Sequence, residues 1–180
     1  MKQFNYEGFK KILRNKQEDL LHYLTNQLCE IYSEENRIIH EEFLYFKGDS
    51  PVCLVSHLDT VHKELPENIL TDQDSGLMWS PQGIGGDDRC GTFAVLYILA
   101  SQLENSKQKP TILFTTNEEI GCVGASKAAK EIPEDMRELA EEYRNNMLEA
   151  VAEEDTVVEE LIVAVDVNAV VALAAEYGLE

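Results

Sequence analysis

The chain has 180 residues, enough for one domain that buries a core of its own, and 44% of them are hydrophobic. Its 34 acidic against 15 basic residues give a formal net charge of -19, which repels nucleic acid and anionic membrane and leaves no basic stripe for either. Cys29, Cys53, Cys90 and Cys122 form no C-x-x-C pair, no stretch approaches the roughly 18 apolar residues of a membrane span, and "MKQFNYEGFKKILRNK" has no apolar signal core. These features predict a reduced, soluble, cytoplasmic protein.

Residues 6 to 32 place Phe9, Leu13, Leu20, Leu24, Leu28 and Ile31 at helical spacing with charged residues between them, which predicts one amphipathic opening helix. The alternating "IIHEEFLYFKG" and the apolar "PVCLVS" predict two strands, the second of them buried. "NILTDQDSGLMWSPQG" reads as a hairpin turning at "DQDSG", which lacks the distal glutamate of a calcium loop. "TFAVLYILASQL" then reads as a helix after a glycine-rich loop, "PTILFTTNEE" as another buried strand and "GASKAAKEI" as the next helix. This order predicts an α/β fold with three layers, helix-sheet-helix, around a mixed, largely parallel sheet.

From about residue 131 the composition changes. Residues 131 to 180 hold fifteen acidic and two basic residues, thirteen of the nineteen excess negative charges, and are dominated by Glu, Ala and Val. They read as an acidic helical tail with one strand, "LIVAVDV", so the expected organisation is a single catalytic-type domain over 1–180 whose tail, 131–180, differs from 1–130.

Three polar clusters fall on loops after strands or before helices: "SHLDT" at 56 to 60, "GIGGDDRCG" at 83 to 91 and "TTNEEIGCVGA" at 115 to 125. His57 and Asp59 leave the carboxyl edge of a strand two residues apart, where an α/β sheet keeps its chemistry. Each cluster alone reads as a surface pair, a turn or a helix cap. Together, a histidine among carboxylates, with glycines that let backbone approach, is what a divalent metal such as zinc requires.

His57-x-Asp59, the glycine-flanked Asp87-Asp88-Arg89 with Gly91, and Glu118-Glu119 with Gly121 resemble, in order and spacing, the dizinc exopeptidases that include peptidase T, glutamate carboxypeptidase, aminoacylase and succinyl-diaminopimelate desuccinylase. The resemblance covers roughly residues 40 to 130. It implies that His57 binds one zinc, that Asp59 holds the imidazole in the metal-binding tautomer, and that Asp87 bridges two zincs roughly 3.5–4 Å apart. It implies further that Glu119 binds the second zinc, that Glu118 is the general base, and that the Asp87-Asp88 peptide is cis. Cobalt or manganese are alternatives to zinc. A small peptide or N-acyl amino acid is the implied substrate, with neither nucleic acid nor membrane as partner; the oligomeric state is left open.

The chain also departs from that pattern. The family's further acidic ligand has no counterpart at its usual place, and Asp166, at the end of "LIVAVDV", is the candidate for it; the competing reading is an aspartate that caps a following helix. No histidine follows His62, so the family's last ligand is absent and one site is expected to be incomplete. His62 reads as a loop residue that could substitute for that ligand, His22 and His40 as structural, and Cys90 and Cys122 as small buried packing residues. The functional expectation is a zinc-dependent hydrolase of peptide or N-acyl amide bonds. Its rivals are a catalytically impaired, truncated, designed or chimeric protein of the same fold that keeps at most one metal, and an acidic interaction module.

Overall fold

Leu20, Leu24 and Leu28 recur every fourth residue, and in the computed structural model all three are fully buried along one face of a helix. The structure describes residues 6–72, 74–105 and 108–133. Two compact units divide the chain, Met1–Ala128 and Ala129–Glu180, and the site described below lies wholly in the first.

The elements run α1 (Tyr6–Leu13), α2 (Gln17–Cys29), β1 (Arg37–Ile39), β2 (Phe43–Phe46), β3 (Cys53–His57), β4 (Leu70–Thr71), β5 (Met78–Trp79), α3 (Gly86–Glu104), β6 (Thr111–Thr115) and α4 (Val123–Glu131). Four strands form a sheet in the order β1-β2-β6-β3; β4 and β5 form the separate hairpin expected around "DQDSG". The sheet is mixed and partly parallel, with β3 running parallel to β6 while β1 and β2 run antiparallel. Leucines of α2, Val95 and Leu99 of α3, Leu44 and Phe46 of β2, and Ile112 and Phe114 of β6 share one core. Both faces of β2 are buried, so the sheet is an inner layer there, flanked by helices in an α/β arrangement. Among the described residues no helix is long and apolar enough to cross a membrane.

Three expectations are corrected. The single opening helix is two, broken at residues 14–16, where Lys16 is extended (φ -64, ψ 159). No glycine or proline marks the break. The carbonyls freed at the end of α1 are taken instead by the Arg89 guanidinium, whose Nη1 donates to Ile12 O at 2.6 Å and Asn15 O at 2.9 Å. The alternating "IIHEEFLYF" is likewise two strands, turned back at His40–Glu42, where His40 Nδ1 accepts the Glu42 N–H at 3.0 Å and its ring stacks on Phe43. His40 is thus structural. Finally, β3 is an edge among the described strands: Ser56, facing α3, is buried, but Val55 on the opposite face is 58% exposed.

Candidate metal centre

The parallel pairing of β3 with β6 sets His57 opposite Thr115 at the carboxyl ends of both strands. Leu58 N–H donates to Thr115 O at 2.8 Å, so the chain leaves β3 still fastened to β6. The loops that follow, Asp59 on one strand and Asn117–Glu119 on the other, therefore emerge side by side.

Asp59 ties these loops together. Its Oδ1 lies 3.2 Å from His57 Nδ1 and accepts the Glu118 N–H at 3.0 Å, while Oδ2 accepts the Glu119 N–H at 3.0 Å. With only 12% of its side chain exposed, it is a carboxylate held by charge-assisted bonds in a dry place. The same bond fixes the histidine: Nδ1 donates to Asp59, and Nε2 keeps its lone pair.

Asp87 arrives from the start of α3. That helix is anchored on β3 by Ser56, whose Oγ donates to Asp88 O at 3.2 Å and lies 2.9 Å from Thr92 Oγ1. Asp87 (φ -84, ψ 113) and Asp88 (φ -108, ψ 37) are not helical, and the cis Asp87-Asp88 peptide that the resemblance implies is present. Asp88 turns inward and accepts the Gly91 N–H at 3.0 Å. A Cβ on Gly91 would lie 2.2 Å from Asp88 Oδ1, so only glycine leaves room for that cap. Burial raises the Asp88 pKa, against the lowering effect of the Ser56 hydroxyl and of the Gly91 N–H.

Asp87, 70% exposed at its side chain, points the other way and brings Oδ1 to 3.2 Å from His57 Nε2. Ligand atoms of His57, Asp87 and Glu119 all lie within 4.8 Å of one another. Two ligands each about 2.0–2.1 Å from a tetrahedral zinc are about 3.3 Å apart, which the 3.2 Å between His57 Nε2 and Asp87 Oδ1 matches. Borderline nitrogen and hard oxygen donors also suit such an ion, and a cation would offset the mutual repulsion of the carboxylates. Glu118 Oε2 stands 3.9 Å from His57 Nε2, near the group without belonging to it.

The residues expected from sequence are thus brought together, Asp166 excepted, which lies outside the described residues. His62 is not in the metal group; it is exposed and covers Gly83 (φ +87), where an added Cβ would sit 2.3 Å from its Cε1. Cys90 is half-buried, but Cys122 is exposed, contrary to its reading as a packing residue, and its Sγ donates to Glu118 Oε1 at 3.5 Å. That bond raises the Cys122 pKa first, with lesser help from desolvation and from the charges of Glu118 and Asp59. Sequence reasoning placed Arg89 in the Asp87-Asp88-Arg89 motif without foreseeing its bonds to Ile12 and Asn15, and it missed Gln17 and Asn117. Of those two only Asn117 carried a signal, as an asparagine between a strand end and two glutamates; its φ is 56, a conformation asparagine tolerates.

A cleft of about 880 Å3 opens beside Glu119, with Lys16, Gln17, Thr60, His62, Gln82 and Asn117 in its wall. A smaller groove of about 450 Å3, among Val52, Leu54, Ile98 and Pro110, lies at the other end of β3.

No curated protein and no solved structure gave a match to this chain. A family model does match, over residues 53–176, which includes all three clusters and continues beyond the stretch of roughly 40 to 130 that carries the resemblance. The model is that of Peptidase family M20/M25/M40, and the chain belongs to that family, whose domain is that of a metallopeptidase-type hydrolase.

Proposed function

We propose that the chain is a zinc-dependent hydrolase of peptide or N-acyl amide bonds, with His57, Asp87 and Glu119 as metal ligands and Glu118 as general base. The observation that carries this is the convergence of the three ligand atoms within 4.8 Å beside a base that is not itself a ligand. Asp166 is the candidate for a further ligand, and Asp87 the residue to bridge two ions. Zinc bound there supplies a Lewis acid that polarises the scissile carbonyl and lowers the pKa of water.

The chain's own groups do the rest. Glu118 takes the proton of the attacking water and returns it to the leaving nitrogen, so no side-chain nucleophile is required. Asp59 keeps His57 in its ligand tautomer and, through two backbone N–H groups, holds Glu118 and Glu119 in fixed relation, so that adjacent glutamates divide base and ligand roles. The cleft beside Glu119 receives the substrate's flanking groups.

The test compares two near-isosteric variants on zinc-loaded protein, with dipeptides and N-acetyl amino acids as substrates. Glu118→Gln should abolish turnover and keep the bound metal; Glu119→Gln should lose metal. Equal metal loss in both variants, or full turnover in Glu118→Gln, overturns the assignment.

A further inference from the structure

We propose that Gln17 is a positioning residue for the Glu118–Glu119 pair, and that the turn between α1 and α2 is the common anchor of both loops that carry metal ligands. This rests on the metal-centre reading given above, and goes beyond it because the turn lies outside the residues 53–176 matched by the family model.

The Gln17 amide makes two complementary bonds to one residue 100 positions away. Its Oε1 accepts the Asn117 N–H at 3.2 Å, and its Nε2 donates to Asn117 Oδ1 at 3.3 Å. Asn117 is the left-handed residue (φ 56) from which the chain enters Glu118, and its carbonyl accepts the Val123 N–H at 3.1 Å, so it is pinned on both sides. Glu118 and Glu119 follow at once, and their own N–H groups go to Asp59. The direction of both glutamates is therefore set by two clamps, Asp59 beside them and Gln17 just before them.

The second loop is tied to the same turn. Arg89, which follows Asp87 and Asp88, is 2% exposed and donates Nη1 to Ile12 O and Asn15 O, the residues that lead into Gln17. One short segment thus holds the loop of the ligand Asp87 and the loop of the ligand Glu119 at a fixed spacing. A shift of this turn changes the distance between ligands, which a metal senses far more sharply than the fold does.

The experiment is a cobalt(II) titration of the chelator-stripped full chain, read by its visible absorption bands, alongside the melting temperature of the metal-free protein. Gln17→Met keeps side-chain length and helix preference and removes both bonds. It should weaken cobalt binding about three- to tenfold, the range of one or two neutral hydrogen bonds, and alter the band intensities. The metal-free melting temperature should fall by no more than a few degrees, the cost of one or two part-buried neutral hydrogen bonds. Asn117→Gly keeps the left-handed backbone and its N–H but loses Oδ1, so it should lose less. Added to Gln17→Met, it should cost less than it does alone. Should the methionine variant fold poorly, Gln17→Asn, one methylene too short to reach, replaces it. Parent-like affinity and spectrum in the Gln17 variants, with cobalt bound normally by the parent, overturn the inference alone. A parent chain that binds no cobalt overturns the metal centre itself, and this inference with it.

Discussion

Asp59→Asn removes one negative charge and changes no more than an oxygen to an NH2 group, yet it should disturb both fold and metal site. The carboxylate accepts from His57 Nδ1 at 3.2 Å and from the backbone of Glu118 and Glu119 at 3.0 Å each. An asparagine oxygen at the Oδ1 position can still serve His57 and Glu118, but its NH2 then faces the Glu119 N–H, donor against donor. Leaving that N–H unpaired costs about 1–3 kcal/mol, and loss of charge assistance in the remaining bonds about 1 kcal/mol more. Arg89, whose pKa is lowered by burial and raised by the nearby Asp59 charge, also loses a compensating partner. Relief of repulsion among the metal-free carboxylates works the other way, so a net loss of about 1–3 kcal/mol is expected, or about 2–12 °C in melting temperature. Zinc affinity should fall by about 10–100-fold as the imidazole loses its orienting partner. Thermal melts of metal-free protein and zinc competition titrations measure the two effects. Melting temperature and affinity both equal to the parent's would refute the role given to Asp59.

Gly91→Ala puts a Cβ 2.2 Å from Asp88 Oδ1 and displaces a buried cap, at about 1–3 kcal/mol; an unchanged urea midpoint would contradict this. Asp72 is held below its ordinary 3.8 first by the Ser75 hydroxyl, then by the Asp74 and Ser75 N–H groups. The support this gives the hairpin turn is present above 3.8 and lost as pH falls through the lower folded value, so an NMR titration of Asp72 at or above 3.8 would count against it. The Cys53 thiol is pushed up by burial to about 11 whereas Cys122 is exposed. A maleimide at neutral pH should label Cys122 first, as peptide mass mapping would show, and preferential labelling of Cys53 would contradict the placement of both.

The site was more legible in the sequence than the elements that frame it. His57 and Asp59, two apart at the end of an apolar run, and the two acidic pairs on glycine-bearing loops depend on local spacing, which a strand's period of two preserves. The break between α1 and α2 is different. It is set by Arg89, 77 positions from Ile12, and nothing within residues 6 to 32 announces a guanidinium that will take those carbonyls. The turn at His40–Glu42 has no glycine, asparagine or proline and depends on an imidazole accepting a backbone N–H, a use of histidine that periodicity does not reveal. The apolar "PVCLVS" predicts a buried strand because periodicity reports apolar character and not position in the sheet, and the sheet order makes it an edge among the described strands. Gln17 and Asn117 escaped for the same reason as the bonds of Arg89, since their pairing spans 100 residues.

Zinc titration of the chelator-stripped full chain by calorimetry, beside His57→Ala, tests the central claim most directly. The parent should bind at least one tight equivalent, and a second if Asp166 or another group completes a further site; His57→Ala should lose the tight one. A parent that binds no zinc, or a His57→Ala variant that binds it as the parent does, would contradict the metal centre assigned to His57, Asp87 and Glu119.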